Sequence, residues 1–197
     1  MSGGSIAADP ISEFKARLAL AAAHEAESGT AMTLATVDAS GQPSARIVLL
    51  KSVDARGFSF FTNYGSRKAR ALDWAGRAAL CWFWPSIAQQ VRAEGTIERV
   101  EATESDAYFA SRPRGSQIGA WASRQSEMLP DRATLVERVD KIEAKFAGQP
   151  IPRPPFWGGY RLSPERVEFW TGEESRLHHR WLYRLDGSSW ATERLYP

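Results

Sequence analysis

Between Met32 and Val100 the chain repeats one pattern, a short β-rich run followed by a cluster of turn-forming residues. Met32–Val37 alternates apolar and polar side chains, as a strand with one buried face does. Asp38-Ala39-Ser40-Gly41-Gln42-Pro43 is a turn cluster. Ser44–Val53 then reads as a strand, Asp54–Gly57 as a turn and Phe58–Thr62 as a third strand, which together make an antiparallel meander. Ala78–Trp84 and Gln89–Val100 read as two more strands. Val167–Trp170 and a final hairpin, Arg180–Arg184 and Trp190–Leu195 around Asp186-Gly187, complete the set. About seven or eight short strands separated by turns predict a mainly β fold, a closed or split antiparallel barrel with helices packed outside. Strands and helices do not alternate, and no Gly-x-Gly-x-x-Gly follows a strand, which argues against a parallel doubly wound sheet.

The helices are fewer. Asp9-Pro10 followed by Ile11, Phe14 and Leu18 predicts a helix from Pro10 to Glu27. Ser66 is the expected N-cap of a short helix to Trp74. A helix from Thr103 to Ser111 should end before Pro113, because the residue preceding proline avoids the helical region. Leu135, Val139, Ile142 and Phe146 share one face of a helix over Asp131–Phe146. Gly148–Pro155 is a Pro-rich connector. With no repeat and no linker, 10–197 reads as a single domain and 1–9 as a disordered start.

Charge and cysteine usage narrow the function. The 25 Lys and Arg nearly cancel against 23 Asp and Glu, for a net charge of +2, so no nucleic-acid footprint is indicated. Cys81 is the only cysteine, which rules out an intramolecular disulfide and favours a reducing compartment. The start of the chain lacks an apolar signal core, and no apolar run approaches the ~20 residues of a membrane span. A cytoplasmic protein without membrane contact is expected.

Four segments concentrate cations and hydrogen-bonding groups. In Arg46–Lys51 two cations bracket an apolar strand, an arrangement that snorkelling strand ends also produce. Arg46 and Lys51 have opposite parity, so either a bulge intervenes or they serve two different groups. Thr62–Lys68 places Ser66, Arg67 and Lys68 at a helix N-terminus, a plausible phosphate cradle that lacks Walker A spacing. In the third segment Tyr108 and Arg112, four apart on one helix face, join Ser116 as a possible grip on a second phosphate. In the fourth, Arg176, His178 and Arg180 alternate, so an extended chain aims all three to one side. No metal-ligand spacing and no Gly-x-Ser-x-Gly elbow are present. For each segment, ordinary surface or strand-end chemistry remains the competing reading.

Taken together, the blocks Arg46–Lys51 (RIVLLK), Phe61–Lys68 (FTNYGSRK), Ser111–Ser126 (SRPRGSQIGAWASRQS), Phe156–Tyr160 (FWGGY), Glu168–Trp170 (EFW), Arg176–Arg180 (RLHHR) and the C-terminal Glu193–Pro197 resemble the pyridoxamine 5′-phosphate oxidase family, in its order, from about Asp9 to the end. The resemblance implies an FMN-binding split β-barrel that works as a homodimer with flavin sites at the subunit interface. It implies oxidation of pyridoxamine or pyridoxine 5′-phosphate to pyridoxal 5′-phosphate, with O2 as acceptor and H2O2 released. Carried over residue by residue, FMN contacts fall on Arg46, Lys51, Phe61, Thr62, Arg67, Lys68, Gln90, Gln125, Ser126, Trp170 and Arg180. Substrate contacts fall on Lys51, Tyr108, Arg112, Ser116, Arg176 and His178. Arg176 and His178 are the expected catalytic pair, positioning the reacting carbon. Phe61 stands where relatives often have Tyr, and His179 where they often have Asp. Met1–Ala8 lacks the basic, Tyr-containing arm that many relatives carry. The aromatic runs Trp82–Trp84 and Phe156-Trp157 add to the expectation of a dimer, as surfaces that one small barrel does not fully bury.

Overall fold

The computed structural model describes residues 6–197. The chain forms α1 (Pro10–Ala22), β1 (Ala31–Val37), β2 (Pro43–Leu49), β3 (Ser52–Asp54), β4 (Gly57–Asn63), α2 (Arg67–Ala75), β5 (Arg77–Trp84), β6 (Gln89–Arg99), α3 (Ala102–Ser111), α4 (Arg114–Ala122), α5 (Arg132–Lys145), β7 (Trp157–Thr171), β8 (His179–Asp186) and β9 (Ser189–Arg194). The nine strands pair antiparallel in one sheet of order β2-β1-β5-β6-β7-β4-β3, with β8 on β7 and β9 on β8. β7 explains the curl. One of its edges carries β6 along Tyr160–Thr171. The other carries β4 along Trp157–Leu162 and then β8 along Arg166–Thr171. The sheet therefore divides at the middle of β7, giving a split antiparallel barrel with helices outside.

Local chemistry accounts for the element ends. The Asp9 carboxylate accepts from the amides of Ile11 and Ser12 at 3.3 and 2.8 Å, satisfying donors that a helix start leaves free. Ser66 caps α2 through the amide of Ala69, and Gly76, at φ 63°, closes it in the left-handed conformation that glycine adopts without penalty. The expected disordered start lies, for residues 1–5, outside the described residues. Ala7 is tied to the domain, its amide donating to Glu13 at 3.0 Å and its carbonyl accepting from the Tyr183 hydroxyl at 2.6 Å.

Three expectations are corrected, and one helix is added. α1 stops at Ala22 rather than Glu27, because Glu27 and Ser28 take left-handed φ values of 51° and turn the chain. The run Ser44–Val53 is two strands, broken at Leu50-Lys51. There the Leu50 amide bonds to the Thr30 carbonyl and the Lys51 amide to that of Ser59, so the chain changes partners. α4 matches no element expected from the sequence, since Pro113 offers no side-chain cap and Gly115 and Gly119 lie inside the helix. β7 runs 15 residues rather than the four of Val167–Trp170. Its prolyl residue, Pro164, sits where the β6–β7 register shifts between Glu94 and Gly95, a bulge that tolerates a missing N–H. At Gly95 a Cβ would lie 2.0 Å from the Ser163 carbonyl oxygen, so only glycine allows the strands to approach there.

The core lies between the concave face of the sheet and α1. Leu80, Trp82 and Trp84 of β5 alternate inward with Val91 and Ala93 of β6 and Val167 and Phe169 of β7. Phe14 of α1 inserts among them, its ring 4.9 Å from Phe58 and 4.7 Å from Trp82. Trp82 and Trp84 are thus fully buried within one chain, against the expectation that they need a partner to cover them. Phe83, between them, points out and is 59% exposed. A second, smaller cluster of Phe109, Ile118, Phe146, Ile151 and Trp157 joins α3, α4 and the end of α5 to the start of β7.

Candidate functional site

A cleft of about 710 Å³ opens between β2, β4 and the α3–α4 corner. Its lining includes Lys51, Phe61, Thr62, Lys68, Tyr108, Arg112, Ser116 and Gln125, eight of the residues named from sequence. The strand break at Leu50-Lys51 resolves the parity problem of Arg46 and Lys51, since the two no longer belong to one regular strand.

At one end of the cleft Lys68 lines the wall, and Arg46 and Arg67 lie beside it outside the lining, near the start of α2. The Lys68 ammonium donates to Gln125 Oε1 at 2.7 Å, Thr62 Oγ1 at 3.2 Å and Ser66 Oγ at 3.4 Å, all neutral acceptors. Burial, and then the charge of Arg46, push its pKa below the ordinary lysine value. Arg46 is depressed by burial and by Arg67. Its guanidinium donates to the Leu34 carbonyl at 3.0 Å, to Thr36 Oγ1 at 2.8 Å and to Ser44 Oγ. The Arg67 amide donates to Ser126 Oγ at 3.1 Å, while its side chain reaches Asp38 at 3.5 Å. Three like charges held near one another at a helix N-terminus form a site for an anion.

The other end is built by the α3–α4 corner. Pro113 holds Arg112 extended, with ψ 147°, and turns the chain into α4. The Nη1 atom of Arg112 is buried and has no hydrogen-bond partner. Burial lowers its pKa, with a small opposing effect from Tyr108. Phe61, Tyr108 and Trp157 stack along this wall, with centroids 4.1 Å apart for Phe61–Tyr108 and 5.6 Å for Phe61–Trp157. Trp157, expected from sequence to be part of a surface that a partner covers, is instead a cleft residue buried within its own chain. The Phe156–Tyr160 block carried the signal, since a tryptophan between a Pro-rich connector and two glycines faces both a turn and a strand.

Gln90, Trp170, Arg176, His178 and Arg180 line no part of this cleft. They gather where β6, β7 and β8 meet. Gln90 pairs with Trp170, and Trp170 with Arg180, in the sheet register. The His178 ring lies 4.7 Å from that of Trp170, and its Nδ1 accepts from the Glu173 amide at 3.1 Å. Arg180 donates to Glu168 at 2.8 Å and to the Tyr196 carbonyl at 2.9 Å. The expectation of one extended segment from Arg176 to Arg180 does not hold. Ser175 and Arg176 take φ values of 56° and 62° in a turn, and β8 begins only at His179.

Fold and site define an antiparallel split barrel with a cation-lined cleft walled by stacked rings. The family description "Pyridoxamine 5′-phosphate oxidase" matches residues 20–146, and "Pyridoxine 5′-phosphate oxidase C-terminal dimerisation region" matches residues 157–197. The chain is 55% identical over 193 residues to a protein of Anaeromyxobacter dehalogenans named "Pyridoxine/pyridoxamine 5′-phosphate oxidase", covering 98% of each. Among solved structures, PhzG from Burkholderia lata in complex with tetrahydrophenazine-1-carboxylic acid aligns with a TM-score of 0.91 and 35% identity, over 97% of this chain and 94% of that one. A pyridoxamine 5′-phosphate oxidase-related, FMN-binding protein of Nostoc punctiforme aligns with a TM-score of 0.77 and 18% identity, over 98% of this chain and 100% of that one; this likeness concerns the fold. The chain belongs to the pyridoxamine 5′-phosphate oxidase family.

Proposed function

We propose that the protein is an FMN-dependent oxidase that converts pyridoxamine 5′-phosphate and pyridoxine 5′-phosphate to pyridoxal 5′-phosphate, reducing O2 to H2O2. The observation that carries the reading is a pair of separate cation sets, Lys51 and Arg112 at one part of the cleft wall and Lys68 at another, with Arg46 and Arg67 beside Lys68 just outside the lining. Arg46, Arg67 and Lys68 suit the phosphate of the cofactor, and Lys51 and Arg112, with Tyr108 and Ser116, suit the phosphate of the substrate. The buried, unpartnered Nη1 of Arg112 is a donor that a phosphate oxygen would satisfy.

When bound, FMN supplies the two-electron chemistry, taking a hydride equivalent from the substrate's 4′ carbon and passing the electrons to O2. The protein's residues bind and orient. Thr62 and Gln125 hold the Lys68 ammonium at the cofactor end. Lys51 and Arg112 fix the substrate by its phosphate, and the stacked rings of Phe61 and Tyr108 set the wall it lies against. Arg176 and His178 are assigned to the reacting end of the substrate, Gln90, Trp170 and Arg180 to the flavin. Because these five lie outside the cleft of their own chain, the assignment requires a homodimer in which a partner supplies them, in keeping with the dimerisation region over 157–197. Holding the reactants in register contributes up to ~7–11 kcal/mol to such a reaction.

Oxygen uptake and H2O2 release with pyridoxamine 5′-phosphate and with pyridoxamine test the reading. Each charge-assisted contact is worth ~1.5–3 kcal/mol, so kcat/KM should fall by orders of magnitude without the phosphate. Equal kcat/KM for the two amines rejects it. The likeness to PhzG raises a second reading, an oxidase acting on a carboxylated tricycle. A cleft end with two cations, a phenol and a hydroxyl favours a phosphate dianion, and turnover of a dihydrophenazine carboxylate in place of the phosphorylated amine decides for the second.

A further inference from the structure

We infer that Trp157 is a positioning residue for the anion subsite, holding the Arg112 guanidinium by a cation–π contact in place of a carboxylate. The inference rests on the proposed phosphate role of Arg112. Many arginines of the chain pair with an acid, among them Arg77 with Glu165, Arg99 with Asp73, Arg153 with Asp106, Arg161 with Glu104 and Arg180 with Glu168. Arg112 forms no such ion pair among the described residues, although it is half-buried and its Nη1 has no partner. Its guanidinium carbon instead lies 4.7 Å from the centroid of the Trp157 ring and 5.7 Å from that of Phe109.

The choice of an aromatic ring has a chemical consequence. A carboxylate would hold the guanidinium too, but a phosphate dianion would then have to displace it and would meet a neutralised pair. A ring face offsets part of the desolvation of the cation and leaves its charge and its donors to the ligand. The ring is itself well fixed. Trp157 is 6% exposed. Its amide donates to the Pro154 carbonyl at 3.1 Å, and its carbonyl accepts from Arg153 Nη1 at 2.7 Å. Phe61 stacks near it at an interplanar angle of 13°, and the edge of Phe109 closes the side at 5.2 Å. Behind it, a Cβ at position 158 would lie 2.0 Å from the Tyr64 hydroxyl, so the backbone after the ring has no room to slide.

The test compares Trp157→Leu and Trp157→Phe with wild type, all saturated with FMN so that the cofactor end is filled. For Trp157→Leu, KM for pyridoxamine 5′-phosphate should rise about tenfold, with kcat within twofold. The affinity for inorganic phosphate, followed by titration calorimetry, should fall by a similar factor. Trp157→Phe should recover most of the loss, and the fold-loss with unphosphorylated pyridoxamine should be clearly smaller than that with the phosphorylated amine. In an Arg112→Ala background either Trp157 substitution should add nothing, so the cycle remains informative with the Phe variant should the Leu variant fold poorly. A Trp157 effect that adds in full to that of Arg112→Ala, or a loss confined to kcat and thermal stability, overturns the inference. If wild type itself does not distinguish the phosphorylated from the unphosphorylated amine, the phosphate reading of the cleft fails instead.

Discussion

Lys68 is a charge held by neutral partners, Thr62, Ser66 and Gln125, within reach of the field of Arg46. Burial and that neighbour lower its pKa from 10.5, so the folded apo-protein holds this proton less tightly than the unfolded chain does. Between the lowered value and 10.5 the unfolded state binds more protons, and the Lys68 contribution to stability rises with pH. A bound phosphate reverses the preference, because it favours the charged form. Two outcomes are expected. In denaturant titrations of the apo-protein from about pH 8 to 10.5, the unfolding free energy of wild type minus that of Lys68→Met should increase with pH. FMN affinity should fall over the same interval in wild type, and be weaker at neutral pH in Lys68→Met by tenfold or more, from one charge-assisted bond of ~1.5–3 kcal/mol. A flat difference curve together with unchanged FMN affinity would remove Lys68 from the cofactor end.

At the scale of elements, the outward row of β7 carries a charge that the sheet closes over. Glu168 faces away from the core yet is only 5% exposed, because Arg92 of β6 and Arg180 of β8 both bond to its carboxylate. Burial pushes its pKa up, but the hydrogen bonds from Arg180 and Arg92 outweigh it and hold the carboxyl below 4.5. A depressed acid contributes stability that is present above its unfolded value and is lost as pH falls through the folded one. Glu168→Gln should therefore melt below wild type at neutral pH, and the gap should close as both are acidified. Arg92 and Arg180 keep side-chain exposures of 42% and 29%, so solvent screens the two charges left behind. A loss of ~1–2 kcal/mol is expected rather than the ~3–5 kcal/mol of a fully buried pair. FMN affinity should fall as well, since Arg180 loses its anchor; equal melting of the two proteins across the pH range would show the cluster to be inert.

The same strand shows where sequence reading stops. Elements marked by chemistry within a few residues were legible: the start of α1 after Asp9-Pro10, the Ser66 cap of α2, the apolar face of α5 and the hairpin around Asp186-Gly187. β7 was not, because Gly158, Gly159 and Pro164 read as breakers until the bulge opposite Gly95 and the Tyr64 hydroxyl give each a place. α4 was hidden for a similar reason, its stability coming from Ile118 packing on Phe109 and Phe146 rather than from a cap. In the cleft, residues close in sequence were visible as motifs. The role of Trp157 was not, since it depends on Arg112, 45 positions away, arriving over its ring.

In the whole molecule, the residues assigned to one reaction fall into two groups that one chain does not bring together. Lys51, Lys68, Tyr108, Arg112, Ser116 and Gln125 line the cleft, while Trp170, Arg176, His178 and Arg180 lie in the region matched to C-terminal dimerisation. Ile47 at 64%, Phe83 at 59% and Leu177 at 68% exposure are large apolar side chains of the kind that a partner's surface covers. An isologous dimer would cover them and bring each cleft against the partner's β7–β8 end. Subunit complementation tests this arrangement directly. One variant carries Lys51→Ala with Arg112→Ala, the other Arg176→Ala with His178→Ala, and each alone should be nearly inactive. In a heterodimer of the two, one site collects all four substitutions and the other collects none. Random reassociation makes half of the dimers mixed, so the mixture should recover about one quarter of wild-type turnover. Size-exclusion light scattering on the same samples should report dimers throughout. Sites built from a single chain would give no recovery at any mixing ratio, because every cleft would then carry its own chain's substitutions, and that outcome would refute the shared site.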